Sequence, residues 1–156
     1  MSHINDFKTS SNLVDFTENA GAQAYREALK LSQQEPVIFW VEKYDCEVCD
    51  SYEGQWLALI NDIEEMPVLD RDEFYPDVYI DPANAKFERV DINEVPEVLT
   101  DFKLDQFEDG QMPCLVLSFQ GNQSSWCNTE IDELMADEQR YQEDLWRPYV
   151  YRNISN

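Results

Sequence analysis

Residues 36–65 read PVIFWVEKYDCEVCDSYEGQWLALINDIEE, and this stretch decides the fold. Val37, Ile38, Phe39, Trp40 and Val41 form a short apolar run, β-branched and aromatic, with the character of a buried strand. A polar turn follows and carries Cys46-Glu47-Val48-Cys49. Beyond it Tyr52, Trp56, Leu59, Ile60 and Ile63 repeat at helical spacing on one face, which predicts a helix running to about Glu65. Two cysteines therefore stand where a strand ends and a helix begins. The first of them meets the exposed N–H groups and positive end of the helix, a setting that favours a thiolate.

Outward from this centre, Ala20–Gln33 is predicted helical, capped by Thr17 or Asn19, with Tyr25, Ala28, Leu29 and Ser32 sharing a face. Residues 1–12 read as an arm, with a short edge strand at Asn12–Phe16. After Met66-Pro67 the segment at 66–86 holds three prolines and many acids and reads as an insertion, with a short strand possible only at Val78–Ile80. It is either a partner surface or tolerated decoration. Phe87–Ile92 is predicted to be a strand, Glu94–Leu104 a short helix, and Asp105–Gln111 an acidic loop. Met112-Pro113 leads into a strong strand at Cys114–Phe119. A turn at Gly121-Asn122 then returns the chain as an antiparallel edge strand at Gln123–Cys127. Thr129-Glu130-Ile131-Asp132 approximates a capping box and opens a helix expected to reach Trp146, before a tail at 147–156. The chain of 156 residues is the length of one domain.

This order resembles the thioredoxin family across roughly residues 13–146, on the stretches VIFWVEKYDCEVC, RVDINEVPEVLTDFKL and MPCLVLSFQGN. The resemblance implies a three-layer α/β/α fold with a central mixed sheet of four to five strands. It implies Cys46 as the attacking thiol, Cys49 as the resolving thiol and Pro113 as a cis-proline lying against the pair. Met112 would offer its backbone to an incoming peptide, and Asp45, Glu47 and Val48 would border the same substrate. The chemistry implied is thiol–disulfide exchange on protein disulfides through a redox-active Cys46–Cys49 disulfide, with no further cofactor and with a reductase as electron donor.

The sequence departs from the family at several of these positions. Asp45 replaces the tryptophan before the first cysteine and Val48 replaces the proline between the pair. The family's buried acid on the preceding strand maps to Trp40, and Glu42 and Asp45 are expected to be exposed. Asp45, Glu47 and Asp50 oppose the helix's preference for a thiolate, which points to a reductant-like or sluggish enzyme, or to a fold kept for binding. Cys114 is a candidate accessory thiol or a small buried hydrophobe. No bridge between Cys114 and Cys127 is expected, and the cysteine spacings with His3 as sole histidine do not fit a zinc site.

The composition sets the remaining bounds. Thirty-three acids against 11 bases give a formal charge of −22, which repels nucleic acid and anionic membranes and suits a basic protein partner. A nucleic-acid mimic is a further reading of the same charge. Hydrophobic residues at 43% and aromatics at 13% argue for a packed core over a disordered acidic chain. No apolar run is long enough to span a membrane and the first residues lack a signal-peptide pattern, so a cytoplasmic setting is expected.

Overall fold

The computed structural model describes residues 21–65, 85–104, 112–137 and 145–146. Its elements are α1 (Ala22–Leu31), β1 (Val37–Glu42), α2 (Glu47–Ser51), α3 (Glu53–Glu65) and β2 (Lys86–Asp91). They continue with α4 (Glu97–Asp101), β3 (Cys114–Phe119), β4 (Asn122–Cys127) and α5 (Thr129–Met135). The arm at 1–12, the edge strand at 12–16, the caps at Thr17 and Asn19, the strand at 78–80, the loop at 105–111 and the tail at 147–156 lie outside the described residues. So does the insertion, save for its last two residues. Lys86, the last residue of the expected insertion, belongs to β2.

The described strands form one sheet in the order β2-β1-β3-β4. β1 and β2 run parallel, while β3 is antiparallel to both β1 and β4. This is the mixed sheet the sequence implied. Alternation along β1 divides its side chains between two cores. Ile38 and Trp40 join Trp56, Leu59, Ile60 and Ile63 of α3 and Ile131 and Leu134 of α5 on one face. Val37, Phe39 and Val41 join Tyr25 and Ala28 of α1 and Val98 of α4 on the other. Helices thus cover both faces, and β1, buried along its whole length, is the central strand. Trp40 stacks on Trp56 with ring centroids 5.2 Å apart, a contact of about 0.5–1.5 kcal/mol beyond area burial.

Three element boundaries differ from expectation. The helix after the cysteines is broken at Tyr52, whose backbone leaves the helical region, so α2 is a separate five-residue turn. The cap of α1 is Gly21, without a side-chain bond. The last helix ends at Met135, and its N-cap is Asn128 in a left-handed conformation instead of Thr129. Leu145 and Trp146 are nevertheless fully buried against the core of α3 and α5.

The β3–β4 connection is a two-residue turn, Gln120-Gly121, with positive φ at both positions, as the right-handed twist of a hairpin favours. It sits one residue earlier than the expected Gly121-Asn122. Because the turn fixes the register, this shift decides the fate of two cysteines. Phe119 pairs with Asn122, and Cys114 then falls directly opposite Cys127. The two are joined in a disulfide, contrary to the expectation that they would not meet. Bridging residues at a sequence separation of 13 contributes about 3 kcal/mol by restricting the unfolded chain.

The α1 face is anchored by Tyr25, whose hydroxyl donates to Asp101 Oδ2 at 2.8 Å. Burial, reinforced by Asp101, pushes the Tyr25 phenol well above its ordinary value of 10.0. A phenol that holds its proton longer when folded contributes stability that is complete below the unfolded pKa and is lost as pH rises above it. Thermal melts should therefore show stability falling above about pH 10, the ordinary tyrosine range, with a shallower fall in Tyr25→Phe. An unchanged slope in the variant would contradict this assignment.

Candidate functional site

The loop between β1 and α2 is built by the end of β2. Asp91 Oδ1 accepts from the Tyr44 N–H at 3.2 Å and from the Asn93 N–H at 2.9 Å. Asp45 follows in a left-handed conformation, φ 58°, which a short polar side chain tolerates. The chain can then turn sharply into α2 with Cys46 as its N-cap. Cys46 Sγ accepts the Cys49 N–H at 3.1 Å, so the sulfur takes the place of the usual capping oxygen. Both thiols are free. Cys46 is half-buried and Cys49 is buried, at 1% exposure. Burial, and then the hydrogen bond with Cys46, pushes the Cys49 thiol from 9.0 up to about 12. The pair is thus asymmetric, with one reachable sulfur and one sheltered sulfur that keeps its proton.

Pro113 is buried and its bond to Met112 is cis, as the resemblance implied. Met112 is also buried, at 2% exposure. Its carbonyl accepts from Asn128 Nδ2 at 3.1 Å, and the Pro113 carbonyl accepts the Asn128 N–H at 2.8 Å. Any peptide pairing with the Met112 carbonyl would share it with Asn128. Asn128 Oδ1 in turn lies 3.2 Å from the Tyr52 hydroxyl, which donates its proton to Asp132 Oδ2 at 2.6 Å. The break in the helix at Tyr52 is therefore part of the support for the cis-proline loop. Around Cys46, Asp45 is exposed as expected, Glu47 and Asp50 are exposed too, and so are Tyr44 (74%) and Val48 (42%), the large apolar side chains most open to solvent among the described residues.

Glu42 corrects the sequence reading. It is 7% exposed, not a surface acid. In the parallel register Trp40 faces Arg89, so Glu42, two residues on, lies diagonally beside Arg89 on the same face of the sheet. Arg89 Nε donates to Glu42 Oε1, and Nη2 donates to Glu42 Oε2 at 3.1 Å. The other side of the guanidinium meets Glu53, the first residue of α3, with Nη1 to Oε1 at 3.0 Å and Nη2 to Oε2 at 2.6 Å. One arginine thus serves two buried carboxylates. Burial works against the charge on Arg89, but the hydrogen bonds with Glu42 and Glu53 outweigh it and hold the guanidinium protonated. Burial raises Glu42; Arg89 opposes this, Glu53 and Asp91 reinforce it, and the net shift is upward. Glu42 is also among the charges felt at Cys49. A polar cleft of about 290 Å³ is lined by Glu42, Lys43, Tyr44, Asp45, Asp50 and Arg89, residues that flank the cysteine loop.

Trp40, at the position of the family's buried acid, is apolar and fully buried, yet a carboxylate is present two residues later. A signal was available in the sequence: an acid on an otherwise apolar strand, matched by a lone arginine in the next strand of a parallel pair. Cys114, a candidate accessory thiol or small buried hydrophobe, is buried and bonded to Cys127.

No family model matches the sequence, and no curated protein matches it. Solved structures do resemble the fold. Thioredoxin O2 from Arabidopsis thaliana, in its oxidized state, is 18% identical with a TM-score of 0.52, covering 86% of this chain and 96% of its own. The germline-specific thioredoxin Deadhead from Drosophila melanogaster is 12% identical with a TM-score of 0.51, covering 79% and 96%. A chain from work on thiol resolution in yeast mitochondrial 1-Cys peroxiredoxin is 15% identical with a TM-score of 0.52, covering 83% and 99%. At such identities the likeness is one of fold.

Replacing Arg89 by leucine would leave two buried carboxylates facing each other without a cation. Denaturant titration at neutral pH should show a loss of about 3–5 kcal/mol. Lowering the pH should restore part of it, because protonating Glu42, already raised by burial, removes the repulsion between the two carboxylates. A loss that does not depend on pH would contradict the charge argument.

Proposed function

We propose that this thioredoxin-fold chain is a thiol–disulfide oxidoreductase that acts on protein disulfides through Cys46 and Cys49. The observation that carries the reading is the asymmetry of the pair: a reachable sulfur at a helix N-cap, and a buried, proton-holding sulfur one turn away. Cys46 as thiolate attacks the substrate disulfide and forms a mixed disulfide, releasing one substrate thiolate. Cys49 then gives up its proton and attacks Cys46 Sγ, releasing the second substrate thiolate and leaving the Cys46–Cys49 disulfide. A reductase of the same redox class would return the pair to the dithiol. The reading needs no cofactor beyond the pair, and it carries a reducing, cytoplasmic setting. No helix among the described residues is long and apolar enough to cross a membrane.

The resolving step needs a proton acceptor, and Glu42 is the carboxylate we assign to it. Burial raises its proton affinity, with Glu53 and Asp91 adding to the effect against Arg89, and the cleft beside it gives the proton a route to solvent. Around the attacking sulfur, Asp45, Glu47 and Asp50 favour substrates with basic residues flanking their cysteines. Tyr44 and Val48 offer apolar contact to the same segment. A basic protein partner, which the overall charge suits, is then the substrate itself.

The test is reduction of a basic protein disulfide with dithiothreitol as donor. Turnover should be lost in Cys46→Ser and weakened by added salt. Glu42→Gln separates two roles. As proton acceptor, Glu42 should speed resolution, so single-turnover release from the mixed disulfide should slow roughly 100-fold in the variant. If Glu42 acted only as a negative charge near Cys49, its removal would speed that release instead. Absence of turnover in the unmodified chain would overturn the oxidoreductase reading.

A further inference from the structure

All four cysteines of the chain meet in one apolar cluster. Cys49, Cys114 and Cys127 are buried members of the core beneath α1 and α4, and Cys46 packs against it. The sheet explains the gathering. Val41, near the end of β1, pairs with Cys114 across the β1–β3 ladder, and Cys114 pairs with Cys127 across β3–β4. The Cys49 sulfur reaches back to the same end of β1, where it is hydrogen-bonded by the Lys43 backbone. A formed disulfide and a free dithiol therefore stand at one end of one sheet.

We infer that the Cys114–Cys127 bridge is a second redox centre, which exchanges electrons with the Cys46/Cys49 dithiol inside the chain. The inference rests on the dithiol reading of Cys46 and Cys49 and extends it. Burial is the first argument. Cys114 is 0% exposed and Cys127 4%, so a solvent thiol cannot approach in line with their S–S bond, whereas Cys46 and Cys49 already share their core. Sequence along the loop is the second. Cys114 follows Pro113 directly and lies on the strand next to β1, one strand nearer to the dithiol than Cys127. Cys114 is the sulfur attacked.

The step balances without any outside oxidant. Cys46, as thiolate, attacks Cys114 Sγ; the Cys46–Cys114 bond forms as the Cys114–Cys127 bond breaks, and Cys127 leaves as thiolate and takes up a proton. Cys49 then loses its proton and attacks Cys46 Sγ. The Cys46–Cys49 bond forms, and Cys114 leaves as thiolate and is protonated in turn. Two electrons pass from the dithiol to the bridge. Asn128, adjacent to Cys127, holds the carbonyls of Met112 and Pro113, so the bridge and the cis-proline loop share one support.

The experiment uses the full chain with the bridge formed and Cys46/Cys49 reduced. Bridge opening under dithiothreitol is followed by acid quench, alkylation and peptide mass mapping. Opening in Cys46→Ser should be slower than in the unmodified chain by about tenfold or more, because the internal nucleophile is gone. Cys49→Ser should accumulate a Cys46–Cys114 cross-linked peptide with Cys127 alkylated. Equal opening rates in both chains, with no such cross-link, would overturn the inference. Turnover of an external protein disulfide by the unmodified chain is measured alongside. Turnover without internal exchange removes the second centre and leaves the oxidoreductase reading intact. Internal exchange without external turnover supports the second centre and removes that reading.

Discussion

One guanidinium shared by two buried carboxylates is the constraint on which the site depends. Arg89 comes from β2, Glu42 from the end of β1 and Glu53 from the start of α3. Their bonds fix the corner where strand, cysteine loop and helix meet. Such a cluster is not retained for stability alone, since an apolar replacement of equal volume is often as stable. It holds two carboxylates on one guanidinium beside the loop that carries the cysteines. Burial raises the proton affinity of Glu42, and burial, the Cys46 hydrogen bond and, to a lesser degree, the Glu42 charge weigh against ionising Cys49. In the proposed mechanism Cys49 stays a thiol until the mixed disulfide forms, and Glu42 is the carboxylate assigned to accept its proton.

Much of the fold was legible because it rests on local pattern. The apolar run of β1, the cysteines after it, the helical spacing from Tyr52 to Ile63 and the Met112-Pro113 step all carry their meaning within a few residues. The site was legible in part for the same reason: Cys46, Cys49 and Pro113 could be read directly. Glu42 could not, because its burial depends on a partner 47 residues away and on the register that brings Arg89 beside it. The Cys114–Cys127 bridge was missed through a single residue. With the turn at Gly121-Asn122, Cys127 would face Val116; with Gln120-Gly121 it faces Cys114. Period-two geometry makes a turn assignment decisive for every pair in the hairpin. The break at Tyr52 was hidden as well, since its cause is a tertiary contact with Asn128 and Asp132.

The acidity of the chain acts differently inside and outside the site. Within, two carboxylates are matched by a buried arginine, and Glu42 is raised in proton affinity by burial. On the surface, the unmatched acids around Cys46 act through their field, which is screened within about 10 Å at moderate salt. Under the proposed reading, the first effect acts on the resolving step and the second on which protein disulfides approach. Salt should therefore alter encounter and leave resolution nearly untouched.

The most direct measurement is the equilibrium between the Cys46/Cys49 dithiol and its disulfide across defined ratios of reduced and oxidised dithiothreitol. The two states can be followed by alkylation and by fluorescence of the buried Trp40 and Trp56. A reversible two-electron transition at about −200 to −300 mV, absent in Cys46→Ser, is the result expected of a working dithiol centre. A chain in which these two sulfurs never join, however oxidising the buffer, would contradict the account.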